Sequence, residues 1–289
     1  MYRPFSIRWI YYDDNLIERS RKEVMQNMIK GDNLGLVANR STSIDINFDH
    51  IFATKELTDV RMLPDFGGAP YLFPLYLYTT PEDTAGTLFA QSETTRKANL
   101  APEFISTFSE KLGLSFIKDG QGDLKKTYGP EDVFYYAYAV FHSPTYRTRY
   151  AEFLKIDFPR LPLTSDKKLF AKLVEKGKEL VELHLLKSSK VEDFITAFPV
   201  AGDNKVEKVT YAKNRVYINA SQYFDGVPEN VWEFQVGGYQ VCEKWLKDRK
   251  ERVLSGEDIN HYQRVVVSLK ETIRLMKEID KAVVKWPME

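Results

Sequence analysis

The side chains here whose types and spacing could do chemistry on a large anion are basic residues interleaved with aromatics. In "SPTYRTRY", Arg147 and Arg149 stand beside Tyr146 and Tyr150, in what should be the first turns of a helix opened by Pro144. Arginine can read guanine in a major groove or hold a phosphate, and tyrosine can bond phosphate or stack. A helix N-terminus adds backbone donors. Arg160, Lys167 and Lys168 continue the band. Residues 143–176 hold eight basic and four acidic side chains, whereas residues 41–142 hold eight and fourteen, so a locally basic band sits in a chain of zero net charge. A second segment, "GGYQVCEKWLKDRKER", carries Lys244, Lys247, Arg249 and Lys250 with Tyr239, Gln240 and Trp245. Val241 and Trp245 are four apart, which predicts that they share a buried face. Each segment can be read as a duplex footprint or as a solvated helix face with its aromatics turned inward, and composition leaves both open.

Catalytic constellations find less support. The four histidines, His50, His142, His184 and His261, occur in no HExxH pattern, and the single cysteine forms no Cys-x-x-Cys pair. His184 falls on the apolar face of its helix and reads as a core histidine. Cys242 has no adjacent base and reads as a buried thiol. Neither a nucleophile elbow nor a P-loop is present, and Gly120 and Gly122 in "DGQGDLKKTYG" lack the third glycine of a dinucleotide site. That stretch reads as a polar turn. Asp13-Asp14 and Glu131-Asp132 are explained by loop exposure and helix capping.

The elements that must position these residues form an α+β chain: a strand-rich mixed α/β N-terminal part, then a helix-rich C-terminal part with a long terminal helix. The 289 residues divide as 1–120 and 121–289, with a β-hairpin near 206–218 around "KN". "YRPFSIRWIYYDD" should be extended, and "ERSRKEVMQNMIKGDN" helical up to Gly31. "LGLVANR", "HIFATKELT" and "YLFPLYLYT" are strand candidates, the last an edge because of Pro74. Residues 79–100 read as a surface loop. Pro102 and Pro130 open helices, Ser165 should cap a long amphipathic one, and Gly237-Gly238 should break two short ones. Ser255 opens the last helix, whose apolar seam at 259, 262, 266, 269, 273, 276 and 279 fits a partner helix or an intramolecular core. No apolar run approaches the roughly 18 residues that span a bilayer, the N-terminus lacks a secretory h-region, and one cysteine fits a reducing compartment. A cytoplasmic protein without membrane contact is expected.

Several long stretches resemble the C-terminal specificity domain of the type ISP restriction–modification enzymes. They are "YRPFSIRWIYYD", "YLFPLYLY", "PEDVFYYAYAVFHSPTYRTRYAEFLKIDFPRLPLTSD", "LVELHLL" and "VWEFQVGGYQVCEKWLKDRKERVLSGEDINHYQRVVVSLKETI". The similarity spans most of the chain outside 79–100 and 186–206, and Ser6 stands where the family more often has an acid. In that family one polypeptide carries a nuclease, a helicase-like ATPase, an N6-adenine methyltransferase and a target recognition domain. The resemblance implies sequence-specific recognition of double-stranded DNA beside the methyltransferase domain, with no catalysis by this module. S-adenosylmethionine, ATP and Mg would belong to the parent enzyme and no cofactor to this chain, which has no Asn-Pro-Pro-Tyr, glycine-rich or Walker motif. It assigns no base-reading residues, because these vary with the target. The alternative is a protein-interaction module that docks on a methyltransferase subunit or self-associates through the C-terminal helix.

Overall fold

The run "VFYYAYAVF" explains itself once folded. It forms α4 (Pro130–Phe141), in which every residue but Glu131 is buried. A helix that is apolar all round belongs in the middle of a protein. Asp132 fastens its first turn by accepting from the backbone N–H of Gly129 (2.8 Å) and Gly122 (2.7 Å).

A computed structural model describes residues 1–13, 15–41, 48–63, 69–86 and 92–288. Ahead of α4 come α1 (Lys22–Met25), β1 (Gly35–Asn39), β2 (Ile51–Thr54), β3 (Pro70–Pro74), β4 (Tyr76–Thr79), α2 (Pro81–Thr84), β5 (Thr95–Ala98), α3 (Pro102–Leu112), β6 (Ser115–Phe116) and β7 (Thr127–Tyr128). After it follow α5 (Pro144–Arg149), α6 (Ala151–Leu154), α7 (Lys167–His184), β8 (Thr210–Ala212), β9 (Arg215–Tyr217) and β10 (Tyr223–Asp225). The chain closes with α8 (Glu229–Trp232), β11 (Gln235–Val236), β12 (Tyr239–Gln240), α9 (Val241–Lys247) and α10 (Gly256–Ala282). The fold is α+β, with small sheets around a helical body and a long last helix.

An antiparallel sheet of order β2-β1-β3 separates two apolar cores. Period-two alternation sends Ala38 into one and Val37 into the other. The first core is aromatic and is built on α3, α4, α7 and the end of α10. The second joins the sheet to β8–β10, α8, α9 and the start of α10, with Phe5 plugged in from the N-terminus. α7 crosses α4 so closely that a Cβ at Gly177 would lie 1.8 Å from the Tyr135 carbonyl oxygen.

Several expectations need correction. Asp166, rather than Ser165, caps α7, because its carboxylate reaches the N–H of Lys168 and Leu169. The 79–100 segment is not only loop, since β5 pairs with β4; residues 87–91 of it lie outside those described. Helix 22–25 passes into a 3-10 turn at 26–28, short of Gly31. The α10 seam is occupied by the chain itself: Tyr262, Val266, Leu269 and Ile279 are buried in the two cores. The seam is therefore not free for self-association, because its apolar area is already spent. "KN" does make the β8–β9 turn, with both residues at positive φ. The Gly237-Gly238 break also holds, as the turn between β11 and β12.

A candidate nucleic-acid interface

Counter-ions sort the predicted cations. In the second segment, Lys244 pairs with Asp248, and Lys247 with Glu243 at 2.8 Å. Arg249 lies 3.3 Å from the centre of the Trp245 ring, donates to the Trp245 carbonyl at 3.0 Å, and is 3.6 Å from Asp258. Burial pushes its guanidinium down to about 10. These three charges hold α9 and its exit together. Lys250 and Arg252 are exposed without an ion pair among the described residues. Cys242 is buried, its thiol pushed up to about 12 by burial.

In the first segment Arg147 turns inward. Its Nε donates to the Phe141 carbonyl (2.7 Å) at the end of α4, burial lowers its pKa, and the Asp49 carboxylate opposes that shift. It braces α5 on α4. Tyr146 is likewise buried, its hydroxyl donating to the Arg160 carbonyl at 2.7 Å. Arg149, Arg160, Lys167 and Lys168 remain exposed with no ion pair among the described residues. Arg160 lies over the Phe153 ring, and Lys167 donates to the Gly113 carbonyl (3.0 Å).

That last contact reveals cations that pattern reading missed. It brings the start of α7 to the end of α3, where Lys111 projects. Ser115 donates its N–H to the Lys126 carbonyl (2.8 Å), so Lys125 and Lys126 stand at the same place. Lys168 and Lys172 extend the patch along one face of α7 at i and i+4. All six lysines are exposed, and none makes an ion pair among the described residues. Glu110, Asp123, Asp166 and Glu175 are the nearby acids in sequence; Asp123 is tied to the N–H groups of residues 125–127, and Asp166 caps α7. Lys125-Lys126 was legible only as a polar turn, because the α3–α7 contact that gathers the patch is tertiary.

The histidines do different work. Tyr138 accepts from the Ala53 N–H (3.1 Å) and bonds His184 Nδ1; His184 Nε2 bonds Thr272 Oγ1 (2.9 Å), which donates to the Ser268 carbonyl (2.8 Å). Thr272 spends its proton on that carbonyl, so His184 carries its own on Nε2 and Tyr138 donates to Nδ1. The chain of bonds ties β2, α4, α7 and α10 around neutral His184, whose pKa burial pushes down to about 3. Among the described residues no three His, Cys, Asp or Glu side chains come together as a metal site, and no helix is long and apolar enough to cross a membrane.

Comparison with known proteins places this arrangement. The Type ISP C-terminal specificity domain matches residues 1–278. Three solved structures are similar over 96% of the chain. They are the ATP-dependent Type ISP restriction-modification enzyme LlaBIII bound to DNA (23% identity, TM-score 0.71), a nuclease-deletion mutant of the Type ISP enzyme LlaGI with a DNA substrate mimic (21%, 0.65) and the DrdV–DNA complex (21%, 0.74). The chain spans 18%, 24% and 28% of those chains, respectively. No curated protein sequence matches. The architecture is thus shared with one part of each of these larger chains. The chain belongs to the Type ISP C-terminal specificity domain family.

Proposed function

We propose that this chain is the DNA target recognition module of a restriction–modification enzyme and performs no chemistry itself. It would grip a duplex and present one adenine to an adjoining N6-adenine methyltransferase domain, which turns the base out of the stack. The observation that carries this reading is the lysine face at α3, β7 and α7, whose charges are uncommitted in a chain of this family. Zero net charge is no obstacle, because phosphate affinity depends on local charge. Selection of random duplexes at two salt concentrations tests the reading. An enriched motif that survives higher salt is expected, whereas uniform retention that vanishes with salt would reduce the face to a non-specific one.

Replacing Lys126, Lys167 and Lys168 together by alanine should weaken binding to all sequences alike. The slope of log K against log salt should become shallower by roughly 0.9 for each phosphate no longer neutralised. The same triple change at Lys244, Lys247 and Arg249 should leave the slope unchanged, because those charges are internally matched.

The seat of the methyltransferase domain is the segment 7–16. Ile7, Trp9, Ile10, Tyr11 and Leu16 are all at least 60% exposed, and the Trp9 indole is wholly so. So much apolar surface along one segment marks a docking site. Its described charges, Arg8 and Asp13, cancel, which suits a protein surface better than DNA. Adding the separately produced methyltransferase domain should protect Trp9 from acrylamide quenching, read against Trp9→Phe. Unchanged quenching would place the seat elsewhere.

A further inference from the structure

The edge strand β3 carries a second exposed apolar feature of different character. Tyr71 and Phe73 alternate outward from the sheet, and the Phe158 ring stands edge-on to both, with centroids 5.1 and 5.5 Å apart. Two residues before Phe158, just past the end of α6, Ile156 is 71% exposed. The loop beneath is not slack. Ile156 and Asp157 donate their N–H to the Phe153 carbonyl at 3.0 and 3.1 Å. The hydroxyls of Tyr146 and Tyr136 clamp the Arg160 and Pro162 carbonyls, each at 2.7 Å. An aliphatic side chain is thus exposed to solvent two residues from an aromatic cluster.

Its surroundings are cationic. Arg40, Arg149, Lys155 and Arg160 flank the ridge against Glu152 and Asp157. Arg40 lies 3.5 Å from Asp157, and Lys155 is 2.7 Å from Glu152, so Arg149 and Arg160 are uncommitted. The 158–166 loop joins the ridge to the start of α7, where Lys167 and Lys168 stand. We propose that the Ile156–Phe158 ridge is an apolar wedge that enters between base pairs of the bound duplex and kinks it. This rests on the DNA-recognition reading above. The chemistry is that of proteins that insert Ile, Leu or Phe at a base step while flanking cations hold the phosphates. Three apolar side chains around one projecting isoleucine are small for a protein interface, and the net positive rim repels a basic partner.

The probe is a duplex isolated from the random selection, with 2-aminopurine placed at each position in turn, since its fluorescence rises on unstacking. With the unaltered chain one step should brighten. Ile156→Ala at saturating protein should cut that rise at least fivefold, and Phe158→Leu should cut it partly. Lys167→Ala/Lys168→Ala should require more protein yet reach the full rise. A full rise in both ridge variants would overturn the wedge while leaving DNA recognition intact. If the unaltered chain retains no duplex, both readings fail. A change in sedimentation of DNA-free Ile156→Ala would make the ridge a protein contact and would also overturn the proposal.

Discussion

Gly177→Ala is expected to lower the unfolding free energy by about 3 kcal/mol or more, the upper range for overpacking a core. Alanine is the better helix former, so in an isolated α7 the change would be favourable by up to about 1 kcal/mol. In the folded chain the new methyl group would lie 1.8 Å from the Tyr135 carbonyl oxygen and 2.5 Å from its carbon. Both atoms are backbone, so no side chain can rotate aside. α7 would have to withdraw from α4, opening voids around Phe170, Leu173 and Val174, which are buried along the same contact. Urea denaturation measures the loss. Gly256→Ala is the control, because a Cβ there meets no atom within 4 Å at the first position of α10. It should be neutral or slightly stabilising. Equal stability of the two variants would mean that α7 and α4 are not packed as described.

The second large effect is acid lability. His184 is held neutral in the fold with its pKa down to about 3, first by burial and then by the charge of Arg147, while an unfolded histidine titrates near ~6.5. Between those values the unfolded chain binds the extra proton, so stability is full above about pH 6.5 and falls as pH is lowered. The slope is about 1.4 kcal/mol per pH unit, so His184 alone should remove roughly 3 kcal/mol by pH 4.5. His142 shifts in the same direction by burial, with Arg147 and His184 contributing, and steepens the acid limb. Urea titrations at pH 7.5 and 4.5 check this. His184→Phe should be less stable at pH 7.5, because the hydroxyl of Tyr138 loses its acceptor and that of Thr272 its donor. It should also be less sensitive to acid. An unchanged acid slope in that variant would assign the lability to other groups.

Much of the fold was legible because its signals are local. Pro102, Pro130 and Ser255 begin helices by fixing φ or by capping, and Lys213-Asn214 makes its turn by tolerating positive φ. His184 and Cys242 could be placed inside from the apolar face around them. Ser165 was mistaken for the α7 cap because Asp166 beside it is an equally good acceptor, and only backbone geometry chooses between neighbours. The exposed face was the least legible part. Charge counting found a basic band but could not tell Arg147, bent back onto the Phe141 carbonyl, from Arg149, which faces solvent. Nor could it see that Lys244 and Lys247 are neutralised one helical turn away. Lys111, Lys126 and Lys167 are separated by 15 and 41 residues in sequence, and they meet because the Gly113 carbonyl receives the Lys167 ammonium. The sequence by itself determined the family, the class of fold and where the main helices begin, since these rest on periodicity, caps and long ordered similarity. Only the tertiary structure decided which cations are free, because that depends on what lies across space from each one.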